Sequence, residues 1–504
     1  MSGKASIKKT GLVIGLDSST TAAKAIAFDA KGRIVSRASR PIPLSSPIPG
    51  AYEQNPEDWW ASACGALAAV CRQVGPDRVE ALAISNQRET FVALDGSGRP
   101  VRPAIVWLDE RCRDEVAPFA AAVGPKNLHR ITGKPVDYAP VVYRLAWMKK
   151  HEPGRFRRTA MFCDVQSRLV HQLTGVFATS WAAADPLGLF DTRRKVWSPV
   201  ILSALGLSSD RLPAALRPGT VIGRVTAEAS KKTGLRPGTP VAAGGGDGQA
   251  AGLGVNALSP SIAYINLGTA VVAGVYNRRY RVHRAFRTMT ACCEDGYVYE
   301  CSLRAGTFST DWFIRNFLLI EPNRETGIYR KLETEARQVG TGSGGVLYLP
   351  YLCGAMNPYW DMNAAGAFIG LSASHGRGHL YRSMLEGIAF EQRFAIEAVE
   401  KAAGSTVREC MVIGGGAASV LWRRILADVT GKRMRLPRSG EASALGAAIA
   451  AAVSAGWFGS FRAAAAAMTG AGKCILPDRK NGRVYDRIFS AYVRMHPALK
   501  KIRS

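Results

Sequence analysis

Apolar runs and polar turns alternate at the start of the chain in a pattern typical of β-structure. Gly11–Leu16 and Ala23–Phe28 are each predicted to form a buried strand, joined by the polar turn Asp17–Thr21. A further turn at Lys31-Gly32 leads into a third predicted strand over Ile34–Ala38. The first segment is therefore predicted to be a meander of antiparallel strands.

A helix and two more strands follow this meander. Pro56 is predicted to open a helix that continues to about Val74, with Asn55 as its N-cap. Strands are predicted over Val79–Ser85 and Pro103–Trp107. Strands that alternate with helices favour the α/β class with mixed sheets.

A similar plan begins again in the second half of the chain. Ile262–Leu267 and Val271–Val275 are predicted strands on either side of the turn Gly268-Thr269. The later predicted elements are a helix over His379–Ala402, a strand over Cys410–Ile413, the turn Gly414-Gly415-Gly416 and a helix from about Ser419. The repeated strand–turn–strand plan predicts two domains of related architecture, with a boundary near residues 255–260.

The composition fits a globular enzyme with large cores and has one unusual feature. Hydrophobic residues make up 47% and charged residues 21% of the 504 residues, which favours two domains. Lys and Arg number 66 against 39 Asp and Glu, a formal net charge of +27. Such a charge can attract nucleic acid, a membrane or an anionic substrate, but the basic residues form no long block. We therefore interpret it as an arginine-rich solvated surface, and expect neither a nucleic-acid nor a membrane partner.

The cysteines and the apolar segments of the sequence are used to predict where in the cell the protein lies. The ten cysteines include no CxxC pair, so neither a zinc site nor a disulfide framework is expected, and the sequence favours a cytoplasmic protein. The basic start (Lys4, Lys8, Lys9) precedes an apolar run that stops at Asp17, too short for a signal peptide. Ala442–Phe458 is uncharged but mostly Ala and Gly, so we predict a buried helix and no membrane span.

Two turns carry residues suited to phosphate chemistry. Between Asp17 and Lys24, small hydroxyl residues on a tight turn can cradle phosphates, the acid can hold Mg²⁺ and the lysine can neutralise charge. The alternative is a plain polar turn. Farther along, a predicted strand runs into Gly244–Gly246 and delivers Asp247, which could act as a general base.

Two other nucleotide-binding motifs are not supported by the sequence. Gly246, Gly248 and Ala251 fit the spacing GxGxxA of a dinucleotide site, but the acid that such a site needs about 20 residues later is missing. The chain contains no GxxxxGK[ST] motif, which excludes a P-loop kinase.

Polar residues suited to a polyhydroxylated ligand follow two of the predicted strands. Ser85–Thr90 contains an Arg–Glu pair beside a Gln, which offers both donors and acceptors, although a surface ion pair explains it equally well. Trp107 ends the next strand and could form an apolar wall for a sugar, although a large aromatic residue is more often part of a core.

Taken together, these segments resemble the FGGY carbohydrate kinases. Gly366–Leu371, followed by seven residues and then His379–Glu386, is similar to the C-terminal signature of that family. Tyr143–Trp147 matches part of the N-terminal signature, with Arg144 in place of the usual lysine. The resemblance covers about residues 11–455 in the same order.

The resemblance implies an α/β fold of two RNase H/actin-like ATPase domains with the active site in the cleft between them. The expected divisions are 11–256 for the N-terminal domain with the sugar or polyol site, 260–455 for the C-terminal domain with the ATP site, and 456–504 for a C-terminal extension. The implied ligands are ATP with Mg²⁺ and a sugar or polyol. The resemblance leaves open whether the chain forms a homodimer.

The resemblance also implies roles for individual residues. Asp17 resembles the Mg²⁺-associated acid, and Asp247 resembles the base that takes the proton from the attacking hydroxyl. Contacts to ATP are implied for Thr20, Thr21, Lys24, Gly268, Thr269, Gly306, Gly415, Gly416 and Ala417. Contacts to the substrate are implied for Gln87, Arg88, Glu89, Trp107, Tyr138 and Asp247. The chain departs from the family pattern at Ser19, where a glycine is usual, and at Val420, where glycerol kinases often have Asn.

The substrate signals point to different relatives. Asn86–Thr90 and Pro358–Asp361 resemble glycerol kinase, whereas Leu349–Leu352, Gly366–Leu371 and Gly244–Asp247 are more similar to xylulokinase. A ketose or short polyol is the first expectation, and glycerol is the alternative. More distant hypotheses are a non-catalytic binding protein on an actin-like ATPase fold and an oxidoreductase on a dinucleotide fold.

Overall fold

The computed structural model of the chain describes residues 11–322 and 325–503. Two large mixed β-sheets dominate the molecule, a six-stranded N-terminal sheet and a seven-stranded C-terminal sheet. Helices cover both. The basic residues Lys4, Lys8 and Lys9 lie outside the described residues.

The first half of the chain forms the N-terminal sheet, three smaller sheets and their helices. Its strands are β1 (Leu12–Ser18), β2 (Ala22–Phe28), β3 (Ile34–Pro41), β4 (Glu53–Gln54), β5 (Val79–Asn86), β6 (Phe91–Leu94), β7 (Ala104–Ile105), β8 (Met161–Asp164), β9 (Ala178–Ser180), β10 (Phe190–Asp191), β11 (Val196–Trp197), β12 (Ala214–Leu216), β13 (Val221–Arg224) and β14 (Pro240–Gly246). Its helices are α1 (Pro56–Val74), α2 (Arg113–Val123), α3 (Pro125–Thr132), α4 (Val141–His151), α5 (Pro153–Arg158), α6 (Val165–Thr174), α7 (Trp181–Ala184), α8 (Pro199–Leu205), α9 (Ala227–Thr233) and α10 (Asp247–Gly254).

The second half forms the C-terminal sheet and its helices. Its strands are β15 (Ile262–Leu267), β16 (Val271–Asn277), β17 (Arg287–Thr290), β18 (Tyr297–Leu303), β19 (Leu347–Leu349), β20 (Ala367–Ile369), β21 (Glu409–Ile413), β22 (Arg433–Pro437) and β23 (Ala471–Ile475). Its helices are α11 (Thr307–Phe317), α12 (Ile328–Val339), α13 (Arg377–Ala403), α14 (Val420–Thr430), α15 (Ala442–Ser454), α16 (Phe461–Met468), α17 (Arg479–Tyr492) and α18 (Met495–Arg503).

The two large sheets share a common core order. The N-terminal sheet runs β3-β2-β1-β5-β14-β13, and the C-terminal sheet runs β17-β18-β16-β15-β21-β22-β23. In each sheet the first strand of the hairpin (β1 or β15) pairs antiparallel with the next strand and parallel with a later one (β5 or β21). The prediction of two related domains with mixed sheets is therefore confirmed at the level of topology.

The elements that were predicted from local signals in the sequence lie close to the positions that the structure has for them. Helix α1 spans Pro56–Val74, and the side chain of Asn55 accepts a hydrogen bond from the backbone N–H of Glu57, which is the predicted N-cap. Pro103–Trp107 forms a strand only at Ala104–Ile105, because the chain pairs there with the short strands β4 and β6. The strand predicted to run into Gly244–Gly246 is β14, and Asp247 follows it directly as the first residue of α10.

Helix α15 lies between the two halves of the molecule. Its residues share one apolar cluster with α10 and with Tyr264 of β15. Close backbone approach explains the small residues here, since a Cβ at Gly446 of α15 would lie 1.9 Å from the carbonyl oxygen of Ala250 in α10. The uncharged segment is thus a buried helix, as predicted. Within residues 11–322 and 325–503, no helix is both long and apolar enough to cross a bilayer.

Candidate active site

Two carboxylates lie at the carboxyl edge of the N-terminal sheet. Asp17 is near the end of β1, and Asp247 follows β14 as the first residue of α10. Strand β5 runs parallel between β1 and β14, so the three strand ends meet at one edge. Ser85 of β5 donates a hydrogen bond to Asp17 at 2.9 Å. The sheet therefore brings together the predicted metal-associated acid and the predicted base.

Burial changes the titration of both acids. Burial raises the pKa of Asp17 to about 7, although the Ser85 hydrogen bond opposes this, and the charge of Asp247 adds to the rise. Desolvation by the walls of the cleft also raises the pKa of Asp247 above its ordinary value, even though 41% of its side-chain surface is exposed. Arg88 and the N–H of Gly248 oppose this second shift. The two acids thus share a site in which the binding of a cation or a proton is favourable.

The β1–β2 hairpin turns through Ser19, where the family pattern has glycine. Ser19 adopts ordinary backbone geometry, because its φ is negative, and its hydroxyl donates to the carbonyl of Ala22 at 2.9 Å. Thr20 accepts a hydrogen bond from the indole N–H of Trp107 at 2.8 Å, while Thr21 is exposed at the tip. The side chain of Ser19 thus closes the turn. The backbone at this residue does not need the positive φ that favours glycine.

Lys24 lies opposite Asp17 in the β1–β2 register and reaches the second half of the chain. Its ammonium is 3.2 Å from the carboxylate of Glu441, the residue before α15, and the two side chains are 40% and 24% exposed. A partly exposed pair of this kind contributes only about 0.2–1 kcal/mol, so Lys24 can exchange this partner for another anion.

Arg88 and Glu89 belong to a buried charge network that crosses between the two halves. Nε of Arg88 forms an ion pair with Asp247 at 3.0 Å, and Nη1 of Arg88 donates a hydrogen bond to Glu300 at 2.7 Å. Glu89 accepts from Arg287 at 2.8 Å, and Arg287 also lies 2.7 Å from Glu300. We call Arg88, Glu89, Asp247, Arg287 and Glu300 the five-residue charge network. Arg88 and Glu89 are only 8% and 7% exposed, so the interpretation as a surface ion pair is wrong.

Arg144 of the N-terminal signature anchors the loops around this network. Its buried guanidinium donates to four backbone carbonyls, those of Glu89, Trp107, Asp109 and Ala139, at 2.8–3.2 Å. Glu89 has φ 49°, in the left-handed region that residues with a side chain rarely adopt. Arg144 and Arg287 hold both ends of this residue, which explains how the strained conformation persists.

The other predicted substrate residues form hydrogen bonds to other groups of the protein. The amide of Gln87 is buried and donates to Gln54 at 2.8 Å. Trp107 is half-buried and donates a hydrogen bond to Thr20 of the β1–β2 hairpin. The hydroxyl of Tyr138 donates to Glu110 at 2.9 Å, and its buried ring lies between the guanidinium groups of Arg113 and Arg304.

Four of the six predicted ATP residues of the second half line one cavity of about 520 Å³. Gly268 and Thr269 at the β15–β16 turn lie on its wall together with Gly415 and Gly416. Gly306 donates its backbone N–H to the carbonyl of Thr269 at 2.8 Å and precedes the lining residue Thr307. Ala417 is buried behind the wall, and its neighbours Gly416 and Ala418 form the surface.

Several residues that line this cavity were not predicted from the sequence. They are Thr307, Thr310, Asp311, Tyr329, Glu333, Tyr381, Ala418, Ser419 and Trp422. Trp422 has a buried indole N–H without a hydrogen-bond partner. A helix-spaced tryptophan looks like a core residue in the sequence, and only its place beside the glycine turn marks it as part of the cavity wall.

Two sheets of the same core order, each with a small-residue hairpin, define a two-domain protein with the fold of the actin-like ATPase class. Residues 12–254 match the model of the FGGY family of carbohydrate kinases, N-terminal domain, and residues 263–455 match that of its C-terminal domain. The chain belongs to the FGGY family of carbohydrate kinases. It is therefore a phosphotransferase with an alcohol group as acceptor, which excludes the dinucleotide-fold oxidoreductase.

Individual relatives are similar over nearly the whole chain. The xylulose kinase of Bacillus subtilis strain 168 is 30% identical over 497 residues, with 97% of each chain covered. A glycerol kinase of Gloeobacter violaceus is 31% identical over 464 residues, with 90% of each covered. The crystal structure of xylulose kinase from Rhodospirillum rubrum has a TM-score of 0.87 and 29% identity, covering 97% of this chain and 99% of that one.

Proposed function

We propose that the chain transfers the γ-phosphoryl group of ATP to a hydroxyl of a ketose or short polyol, with Asp247 as the general base. The observation that carries this proposal is the position of Asp247. Its carboxylate is 41% exposed in a cleft whose walls raise its pKa, and Arg88 at 3.0 Å keeps one oxygen oriented. A base needs both access to the substrate and a raised pKa to accept a hydroxyl proton.

The residues present fit ATP and Mg²⁺. The glycine turn in the cavity wall allows close approach of a ligand to the backbone. Asp17 supplies the oxygen ligand that Mg²⁺ prefers, directly or through water. When bound, Mg²⁺ would neutralise charge on the phosphates.

Positioning dominates the chemistry that the chain's own residues perform. Thr20, Thr21 and Lys24 bind phosphate oxygens from one hairpin, and Gly268 and Thr269 bind them from the other. Arg88 and Glu89 orient the sugar hydroxyls, while Asp247 takes the proton of the attacking hydroxyl. Phosphoryl transfer requires this alignment more than covalent participation of the protein. The enclosed cleft also limits transfer to water.

The charges of the site favour a neutral substrate. The five-residue charge network contains two guanidinium groups and three carboxylates, so it carries one excess negative charge. A sugar acid would bring another carboxylate to a poorly hydrated site where like charges repel strongly. A neutral ketose or polyol has no such cost. Xylulose, the substrate in the names of several relatives, is the first candidate.

Glycerol is the second candidate. The loop Asn86–Thr90 resembles that of glycerol kinases, and a relative with that name is 31% identical. A three-carbon polyol could occupy the same Arg88–Glu89 pair, because it presents neighbouring hydroxyl groups. The length of the substrate that fills the cleft distinguishes the two candidates.

A coupled ADP assay with a panel of substrates tests the proposal. The panel contains xylulose, ribulose, erythritol, glycerol and gluconate, each with ATP and Mg²⁺. We expect the highest kcat/KM with a ketose and no turnover of gluconate. Preference for glycerol would select the second candidate, and preference for gluconate would contradict the charge argument.

A further inference from the structure

Two charged side chains of the C-terminal sheet cross the boundary to the N-terminal half. Glu300 on β18 accepts from Nη1 of Arg88 at 2.7 Å, and Arg287 on β17 donates to Glu89 at 2.8 Å. Arg287 and Glu300 are also paired with each other at 2.7 Å. Arg88 and Glu89, the two residues proposed to bind the sugar, are therefore each held by a partner that lies about 200 positions away in the chain.

Glu300 acts only through other protein groups. Its side chain is 0% exposed, so it contacts neither substrate nor solvent. Arg287 occupies Oε1, while Arg88 and the hydroxyl of Tyr264 share Oε2. Burial alone would raise the pKa of Glu300, but the two guanidinium groups hold it at about 2. An ionised carboxylate that accepts three hydrogen bonds from protein groups orients its neighbours.

The geometry of Arg88 makes that orientation matter. Its guanidinium is a rigid plane, so the bond to Glu300 through Nη1 also sets the direction in which Nε faces Asp247. Arg287 orients Glu89 in the same way, next to the strained backbone at that residue. Loss of either partner would free the substrate-facing groups to turn.

We propose that Glu300 and Arg287 are positioning residues of the sugar site, through which the β17–β18 strands of the C-terminal sheet orient Arg88, Asp247 and Glu89. The sugar site is then complete only when these strands are docked on the N-terminal half. This inference rests on the proposed function, since it assigns the sugar to the Arg88–Glu89 loop. Sugar affinity is thereby linked to the arrangement of the two domains.

Glu300→Gln is the first test, because glutamine keeps the volume and one carbonyl oxygen but removes the charge. We expect kcat/KM for the sugar to fall about 100-fold, through a higher sugar KM and a lower kcat, because a misplaced reactive group costs about that much. The KM for ATP stays within about 2-fold of wild type, since the nucleotide cavity does not include Glu300.

Thr290→Val is the matched control. Thr290 lies on β17 and accepts a hydrogen bond from Lys195 of the other half at 2.8 Å, outside the five-residue charge network. Valine is isosteric and suits a strand. This variant loses one contact between the halves and keeps wild-type sugar kinetics if the network alone positions the site.

A double variant tests whether Glu300 works through Arg88. In an Arg88→Lys background the sugar kcat/KM is already low, and Glu300→Gln should lower it by less than about 3-fold more. The same 100-fold loss in both backgrounds would show independent action and overturn the proposal. Wild-type sugar kinetics in folded Glu300→Gln would overturn it as well.

Arg287→Lys provides the second route if Glu300→Gln does not fold. Lysine keeps the charge but cannot bridge Glu89 and Glu300 with a planar fork, so the sugar KM should rise while the ATP KM stays unchanged. Unchanged sugar kinetics in this variant would overturn the proposal. A wild-type enzyme that phosphorylates no member of the substrate panel would instead contradict the proposed function, which separates the two failures.

Discussion

Asp247 combines three features at one residue. It is the first residue of α10, its carboxylate accepts a hydrogen bond from the N–H of Gly248 at 2.7 Å, and the same oxygen forms an ion pair with Arg88 at 3.0 Å. The second oxygen is left to face the cleft. The raised pKa comes from desolvation that the two donors only partly offset, so Asp247 is a stronger proton acceptor than an ordinary carboxylate.

Asp247→Asn is expected to remove sugar-dependent ADP release, because an amide cannot accept the hydroxyl proton. General-base catalysis contributes about 10²–10⁴-fold, so kcat should fall by at least 100-fold. ATP binding, measured by calorimetry, should change little. Asp210→Asn, at an exposed acid of the same half, serves as control with normal turnover. Full turnover by Asp247→Asn would remove this residue from the mechanism.

At the scale of elements, helix α13 carries a buried acid whose state depends on pH. Glu391 accepts hydrogen bonds from Tyr351 at 2.8 Å and from Tyr492 of α17 at 2.7 Å. Burial raises the pKa of Glu391 to about 7, although these two bonds oppose the shift. The folded state therefore holds a proton that the unfolded state releases from about pH 4.5 upward, and stability falls as the pH rises from there to about 7.

Glu391→Gln should stabilise the protein at high pH relative to low pH. Glutamine resembles the protonated acid, so the stability difference between variant and wild type should increase by about 3 kcal/mol from pH 4 to pH 8. Urea unfolding at the two pH values measures this. Glu397→Gln, at a half-exposed acid of the same helix, should show a change below about 1 kcal/mol. A pH-independent difference for Glu391→Gln would contradict the assignment.

The contact between α10 and α15 is the second feature at this scale. Gly446 and Gly254 let the two helices touch through their backbones, since a Cβ at either residue would lie 1.9 Å from a carbonyl oxygen of the other helix. Because α10 begins with Asp247, and Ser443 of α15 donates to the carbonyl of Asp247 at 3.1 Å, this contact also supports the site.

Gly446→Ala should destabilise the protein by about 1–3 kcal/mol, measured by urea unfolding. Alanine is favoured over glycine in a helix by roughly 0.5–1 kcal/mol, but a contact with backbone cannot relax as a flexible side chain would. Gly459→Ala, at an exposed position with open space around its Cβ, should change stability by less than about 0.5 kcal/mol. Equal stabilities would mean that the helices can move apart freely.

At the scale of the whole molecule, ionic contacts join the first hairpin to the second half. Lys24 and Glu441 are 417 positions apart in the chain, and their carboxylate–ammonium distance is 3.2 Å. The proposed role of Lys24 at the phosphates requires that it leave this acid. Glu441 therefore competes with ATP for the same cation.

Glu441→Gln should lower the KM for ATP by about 2- to 5-fold, because a partly exposed pair is worth about 0.2–1 kcal/mol. Initial-rate kinetics at varied ATP and saturating sugar measure this. Glu228→Gln removes the same charge from an exposed helical pair in the first half and should leave the KM unchanged. A higher KM for ATP in Glu441→Gln would mean that Glu441 orients Lys24 instead of competing for it.

The sequence by itself determined the features that local patterns encode. Pro56 and Asn55 marked the start of α1, and the apolar runs marked the β1–β2 and β15–β16 hairpins, because caps and periodicity act within a few residues. The glycine-borne Asp247 and the signature at Gly366–Glu386 were enough to indicate the family.

Only the tertiary structure decided what those residues contact. Glu300, Arg287 and Trp422 carry no local signal, since a buried arginine or tryptophan looks the same in sequence as a surface or core one. Arg88 and Glu89 suggested a pair with each other, yet each is bound to a residue about 200 positions away. Such partners depend on how the two sheets are placed relative to each other. The pattern of residues along one strand does not specify which distant strand it will contact.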